Sequence, residues 1–193
     1  MRRAAVLALA LTAAPALAEQ VMPEGVEVPF TEETLPPGYP PKLGDVTATL
    51  DGKPAAWETY DFSIGAFDAS AWIDSYDGFR LKIIGYTPGN PDAEADHLVI
   101  EARFDGKPRA GDTGRPVLVE IYDKGLTGRR ASSEGKPATL TVDRIKTGFN
   151  SSGYGSFTGS FRATLCPKGG KTGPCREIAG RFDTGMQYEY PAP

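Results

Sequence analysis

The chain is predicted to be all-β: a single antiparallel β-sandwich, with a small β-barrel as the alternative, of about nine or ten strands ending in a disulfide-closed hairpin. Three observations predict it. Short apolar runs alternate with polar residues at a period of two and are separated by Gly, Pro, Asn and Asp, the turn formers of sheet proteins. Composition agrees, with 23 glycines, 17 prolines and 40% hydrophobic residues in 193, and no segment keeps a helical period for more than about two turns. The third is the stretch Gly153 to Cys166, followed by a Gly-rich turn and Cys175 to Asp183.

In that stretch Phe157, Gly159, Phe161, Ala163 and Leu165 share one face, and Ile178, Gly180 and Phe182 form the matching row of the second arm. If paired residue numbers sum to 341, Ala163 meets Ile178, Phe161 covers Gly180, Phe182 covers Gly159, and Cys166 faces Cys175. Each glycine then lies under a ring, a known protection for exposed strand backbone. Eight residues separate the cysteines. That spacing fits neither a Cys-x-x-Cys redox pair nor a zinc site, so Cys166 and Cys175 are expected to form a structural disulfide.

The N-terminus carries Arg2 and Arg3, an apolar run, and Ala16-Leu17-Ala18 before Glu19. Residues 1–18 read as a secretory signal peptide cleaved after Ala18, which places the mature chain in the periplasm or outside the cell. The run is too short to span a bilayer, and no cysteine near the cleavage point supports a lipid anchor. Loss of two arginines and no acids takes the formal charge from −4 to −6. That acidity argues against nucleic acid and anionic membranes as partners. Residues 19–42 hold six prolines and several acids and read as an extended arm. The β domain is expected over 43–193.

Within it, Val46, Ala48 and Leu50 form a strand that turns at Asp51-Gly52 into a second, Ala56 to Phe62. Ala66 to Ile73 follows, with Phe67, Ala69, Ala71 and Ile73 on one face and Trp72 on the other. Phe79 to Ile84, Leu98 to Phe104, Val117 to Ile121 and Ala138 to Val142 are further strands, the last after a basic and polar loop. Met186 to Tyr190 is expected as a final edge strand.

The order Ala48-Thr-Leu-Asp-Gly-Lys-Pro54, Phe79-x-Leu81-x-Ile83, Thr139-Leu-Thr-Val142 and Gly155-x-Phe-x-Gly-x-Phe-x-Ala-x-Leu165 resembles small secreted bacterial β-sandwich domains catalogued as hypothetical proteins or lipoproteins. The resemblance spans most of 45–184 and implies a fold. It brings no activity and no catalytic residues, and this chain lacks the anchor cysteine of the lipoprotein members.

Motifs for chemistry are few. Gly169-Gly-Lys-Thr172 lacks the glycine that a phosphate-binding loop needs five residues before its Gly-Lys, where Leu165 stands, so no nucleotide is expected. There is no Gly-x-Ser-x-Gly elbow, and the single histidine, His97, is expected at an exposed strand start. Asp92, Glu94, Asp96 and His97 are the candidate metal ligands, the alternating carboxylates suiting Ca²⁺ and His97 adding a nitrogen ligand for a transition metal; a solvated acidic loop is the commoner meaning of such a run, the glycine-bracketed calcium-loop pattern is missing, and no cofactor is expected otherwise. Asp74, Ser75 and Asp77 form a weaker group. Candidate ligand-binding residues are Trp57, Tyr60, Trp72, Tyr76 and Tyr86, rings that on a sheet face make a platform for sugar or a partner protein and otherwise serve as core. Gly148 to Gly155 has the composition of a recognition loop. The expected function is a non-catalytic binding or structural module for a protein, glycan or envelope component; the alternative is a carboxylate-dependent hydrolase, with or without a metal.

Overall fold

A computed structural model describes residues 40–62, 69–75, 78–91, 96–123, 128–146 and 154–189. They form ten strands and, among the described residues, no helix: β1 (Lys42–Leu50), β2 (Lys53–Tyr60), β3 (Ala71–Asp74), β4 (Phe79–Tyr86), β5 (His97–Phe104), β6 (Val117–Tyr122), β7 (Arg129–Ser132), β8 (Ala138–Lys146), β9 (Tyr154–Pro167) and β10 (Arg176–Glu189). β1 and β2 join through the expected tight turn, with Asp51 at φ 50° and Gly52 at φ 76°, the left-handed pair that matches the twist of a hairpin.

The C-terminal hairpin has the expected register. Ala163 pairs with Ile178, Phe161 with Gly180 and Phe182 with Gly159, and Cys166 is bonded to Cys175 across the tip. A Cβ placed on Gly180 would lie 2.8 Å from Cε1 of Phe161, and one on Gly159 would collide with the Phe182 ring. Both glycines are therefore covered by the opposing aromatic, as the pairing requires.

The sheet arrangement corrects the sandwich expectation in favour of the alternative, a small barrel: the strands close on themselves. Following the pairings, β1–β2–β4–β5–β6–β7–β9–β10 returns to β1, giving an eight-stranded barrel, with β3 and β8 as additional strands. Two features make closure possible. β9 and β10 are each 14 residues long, enough for each to pair with different neighbours along its length. β10 takes β1 on one stretch and β3, in parallel, at Gln187–Glu189. The segment from Met186, expected as a separate edge strand, is thus the end of β10. β7, which falls in the loop expected before Ala138, supplies the missing link between β6 and β9. Closure leaves few strand edges for outside pairing.

The interior is filled by one cluster that includes Val46, Trp57, Ile73, Leu81, Ile83, Leu98, Ile100, Val119, Leu140, Phe157, Phe161, Leu165, Ile178, Phe182 and Met186. An eight-stranded barrel is just wide enough for side chains to fill it. Among the described residues, the packed interior leaves the outer wall and the ends as the open surfaces.

Candidate functional site

β4 sets up the outer wall. Leu81, Ile83 and Gly85 are its buried inward row, so Arg80, Lys82, Ile84 and Tyr86 point outward. Cross-strand pairing puts Trp72 of β3 between Lys82 of β4 and Gln187 of β10. Ser70 stitches this wall to β2: its N–H donates to the Tyr60 carbonyl (2.8 Å), its carbonyl accepts from the Ile84 N–H (2.6 Å), and its Oγ accepts from the Tyr60 N–H (2.7 Å). The result is an open cleft of about 530 Å³ lined by Phe62, Ala69, Ser70, Trp72, Arg80, Ile84, Tyr86 and Gln187.

The rings of the cleft are held by one another. Phe62 and Tyr86 lie 5.1 Å apart, Tyr60 is 6.0 Å from Tyr86 and 6.1 Å from Phe62, and His97 packs edge-on against Tyr86 at 4.5 Å. These are tilted and edge-to-face geometries, the favoured ones for aromatic pairs. Across the cleft, Lys82 Nζ sits 5.2 Å from the Trp72 ring centroid and pairs with Glu101 at 3.0 Å, which fixes the indole. Arg80 Nε donates to Asp74 Oδ2 at 2.8 Å, and Gln187 Oε1 accepts from the Ala69 N–H at 3.4 Å. Both planar polar groups are therefore oriented toward the cleft by partners of their own.

Beside the rings lies a charged knot. Glu58 Oε1 accepts from Lys42 Nζ at 2.7 Å, and Oε2 accepts from the Tyr60 hydroxyl and from the Gly89 N–H at 2.8 Å. The Lys42 and Tyr60 donors hold the Glu58 carboxyl down at about 2, from an ordinary 4.5. Lys42 is raised in turn by Asp45 and Glu58, and Tyr60 is raised by burial first and by Glu58 second. The knot anchors the turn after β4 to β2 and so sets the position of Tyr86. A second knot stands on β6, where buried Glu120 accepts from the Tyr122 hydroxyl (2.6 Å) and Ser132 Oγ (2.9 Å) and pairs with Arg129 Nε (3.1 Å). Burial, then the bond to Glu120, pushes the Tyr122 hydroxyl up.

Of the sequence-predicted rings, Tyr60, Trp72 and Tyr86 come to this region. Trp57 does not: it is buried in the barrel core, and a Cβ on Gly85 would lie 2.7 Å from the Trp57 Cβ, so the glycine makes room for the indole. Tyr76 lies outside the described residues. Among the metal candidates, Asp92 and Glu94 also lie outside them. Asp96 pairs with Arg130 at 3.6 Å. His97, expected to be exposed, is fully buried, because β5 runs between β4 and β6 and Tyr86 covers its ring. Among the described residues no three His, Cys, Asp or Glu side chains are grouped to hold a metal ion. Asp74 is buried and paired with Arg80, Asp77 is outside the described residues, and so is most of the Gly148 to Gly155 loop. Gly169 and Gly170 turn the hairpin tip with φ of 61° and 77°, and a strand follows them.

Phe62, Arg80 and Gln187 escaped the sequence reading. Arg80 had a usable signal, an arginine on the outward row of a strand whose neighbour ends in Asp74. Among the described residues, no helix is long and apolar enough to cross a membrane. The fold and cleft together define a closed β-barrel with a packed interior and a ring-lined cleft on its wall. No known protein family, curated protein or solved structure matches the chain.

Proposed function

We propose that the protein is an exported, non-catalytic binding module that holds a glycan of the cell envelope in the Phe62–Trp72–Tyr86 cleft. The observation that carries this reading is the placement of partly exposed rings outside a barrel whose interior is already filled. Sugar rings present C–H faces that pack on aromatic rings, and hydroxyls that bond to planar polar groups. Arg80 and Gln187 supply such groups at the cleft, each pre-oriented by a neighbour, which lowers the ordering cost of binding. The leader-like residues 1–18 and the Cys166–Cys175 disulfide support an oxidising compartment outside the cytoplasm.

The test is binding of the purified chain to a panel of immobilised envelope glycans, beside variants Tyr86→Ala and Arg80→Gln. Saturable binding to one glycan class, weakened at least about tenfold by either variant, is expected. Absence of binding across the panel, with stable capture of a protein from the same envelope extract, would replace the glycan with a protein partner.

A further inference from the structure

The barrel has a second concave feature, at the end where the β1–β2 turn, the ends of β6 and β9 and the start of β10 converge. Its floor is apolar: Ile121 and Leu165 are inward-facing core residues, and Leu50 and Ala131 pack partly buried against that core. The far wall is the hairpin-tip segment from Lys171 to Pro174, tied back by the disulfide, by the Lys171 N–H to the Lys168 carbonyl (3.2 Å) and by the Lys168 N–H to the Arg130 carbonyl (3.0 Å). The space enclosed is about 380 Å³.

The rim is cationic. Arg130, Lys171 and Arg176 border the groove, and Asp51 is the acid among its described lining residues, with Asp96 and Asp123 standing beside two of the cations. Arg176 is committed, donating to Asp51 at 2.7 Å, while Asp51 also accepts from the Glu177 N–H at 3.0 Å. The other two are loosely engaged. Arg130 reaches Asp96 only at 3.6 Å and Lys171 reaches Asp123 only at 3.7 Å, and these side chains are 37% and 57% exposed. Exposed pairs near the outer limit of contact contribute little, so a better-placed anion can take either cation. An inorganic anion would leave the apolar floor uncovered, and a neutral lipid would leave the cations unused.

We propose that this mouth binds a single-chain fatty carboxylate, its hydrocarbon lying over Leu50, Ile121, Ala131 and Leu165 and its carboxylate between Arg130 and Lys171. Since Ile121 and Leu165 seal the interior, the chain lies across the mouth without entering the barrel. Mouths of β-barrels are common places for small ligands, and charge matched to the rim supplies the orientation. This site is separate from the aromatic cleft and stands without it.

The test is titration of the ¹⁵N-labelled protein with decanoate below its micelle concentration, with decanol and acetate in parallel. Saturable shifts are expected at residues 50–51, 121, 130–131 and 165–176, with decanol and acetate each weaker by about tenfold or more. Arg130→Gln/Lys171→Gln should remove the preference for decanoate over decanol, while Lys136→Gln/Arg162→Gln, with the same change in net charge, should keep it. Dispersed spectra of both double variants show that the barrel is intact. The proposal is overturned by equal affinity for decanoate and decanol, by shifts confined to the aromatic cleft, by an unchanged preference in Arg130→Gln/Lys171→Gln, or by sedimentation showing that a second copy of the chain covers the mouth.

Discussion

Replacing Gly180 by valine probes the seam between β1, β9 and β10. Its φ is ordinary for a strand, so the cost is steric. A Cβ there would lie 2.5 Å from the Thr47 carbonyl oxygen, 2.7 Å from the Ala48 Cβ and 2.8 Å from Phe161 Cε1. All three are closer than real Cβ contacts allow, and the nearest is backbone that pairs β1 with β10 through Thr47 and Arg181. Relief therefore requires moving the ladder or turning Phe161 out of the core, and the γ-methyl groups of valine add to the crowding. Overpacking of this kind costs about 1–3 kcal/mol, which for a domain of this size lowers Tm by about 2–12 °C. Circular dichroism melts beside Gly106→Ala, where nothing lies within 4 Å of the added Cβ, provide the comparison. Gly106→Ala should melt like the wild type. An unchanged Tm for Gly180→Val would refute both the register and the ring-over-glycine packing.

Four further outcomes follow from the ion pairs and the disulfide. Glu58→Gln should lower stability by about 1–2 kcal/mol in urea unfolding, because Lys42, the Tyr60 hydroxyl and the Gly89 N–H lose a charged acceptor. The same carboxyl predicts an acid limb: its folded value of about 2 lies below the ordinary 4.5, so between them the unfolded state binds more protons and stability rises with pH. That contribution should be complete above about 4.5 and fade as pH falls toward about 2; Glu58→Gln should lack it, so the wild-type-minus-variant difference should carry this limb. Cys166→Ser/Cys175→Ser should cost about 2–3 kcal/mol by freeing a short loop in the unfolded chain, with proteolysis nicking the tip first. Glu120→Ala should cost about 2–4 kcal/mol and expose β7 to hydrogen exchange, since Arg129 loses its buried partner, and Tyr122 and Ser132 lose theirs.

The C-terminal hairpin was legible because two independent local signals, a period of two and a pair of cysteines, agree on one register. Closure was not, since it depends on edges far apart in sequence. β2 meets β4 through the single pair Glu58 and Tyr86, which no local pattern announces. β7 hid because Arg129-Arg-Ala-Ser132 reads as a polar loop, and its side chains are polar in order to satisfy Glu120. The usable clue was Glu120 itself, a carboxylate within Val117-Leu-Val-Glu-Ile-Tyr122 that needed partners from somewhere. Outward rings such as Trp72 and Tyr86 could be assigned from strand parity. Trp57 could not, because whether a ring faces core or solvent there depends on Gly85, a residue on another strand.

The most direct test of the aromatic cleft as a ligand site is a titration of side-chain aromatic resonances with oligosaccharides released from the cell envelope, in wild type and Trp72→Ala. Binding in the cleft predicts saturable shifts at Phe62, Trp72 and Tyr86, a still Trp57 in the barrel core, and loss of the response in Trp72→Ala. Shifts that spare these three rings, or binding that Trp72→Ala leaves undiminished, would contradict it.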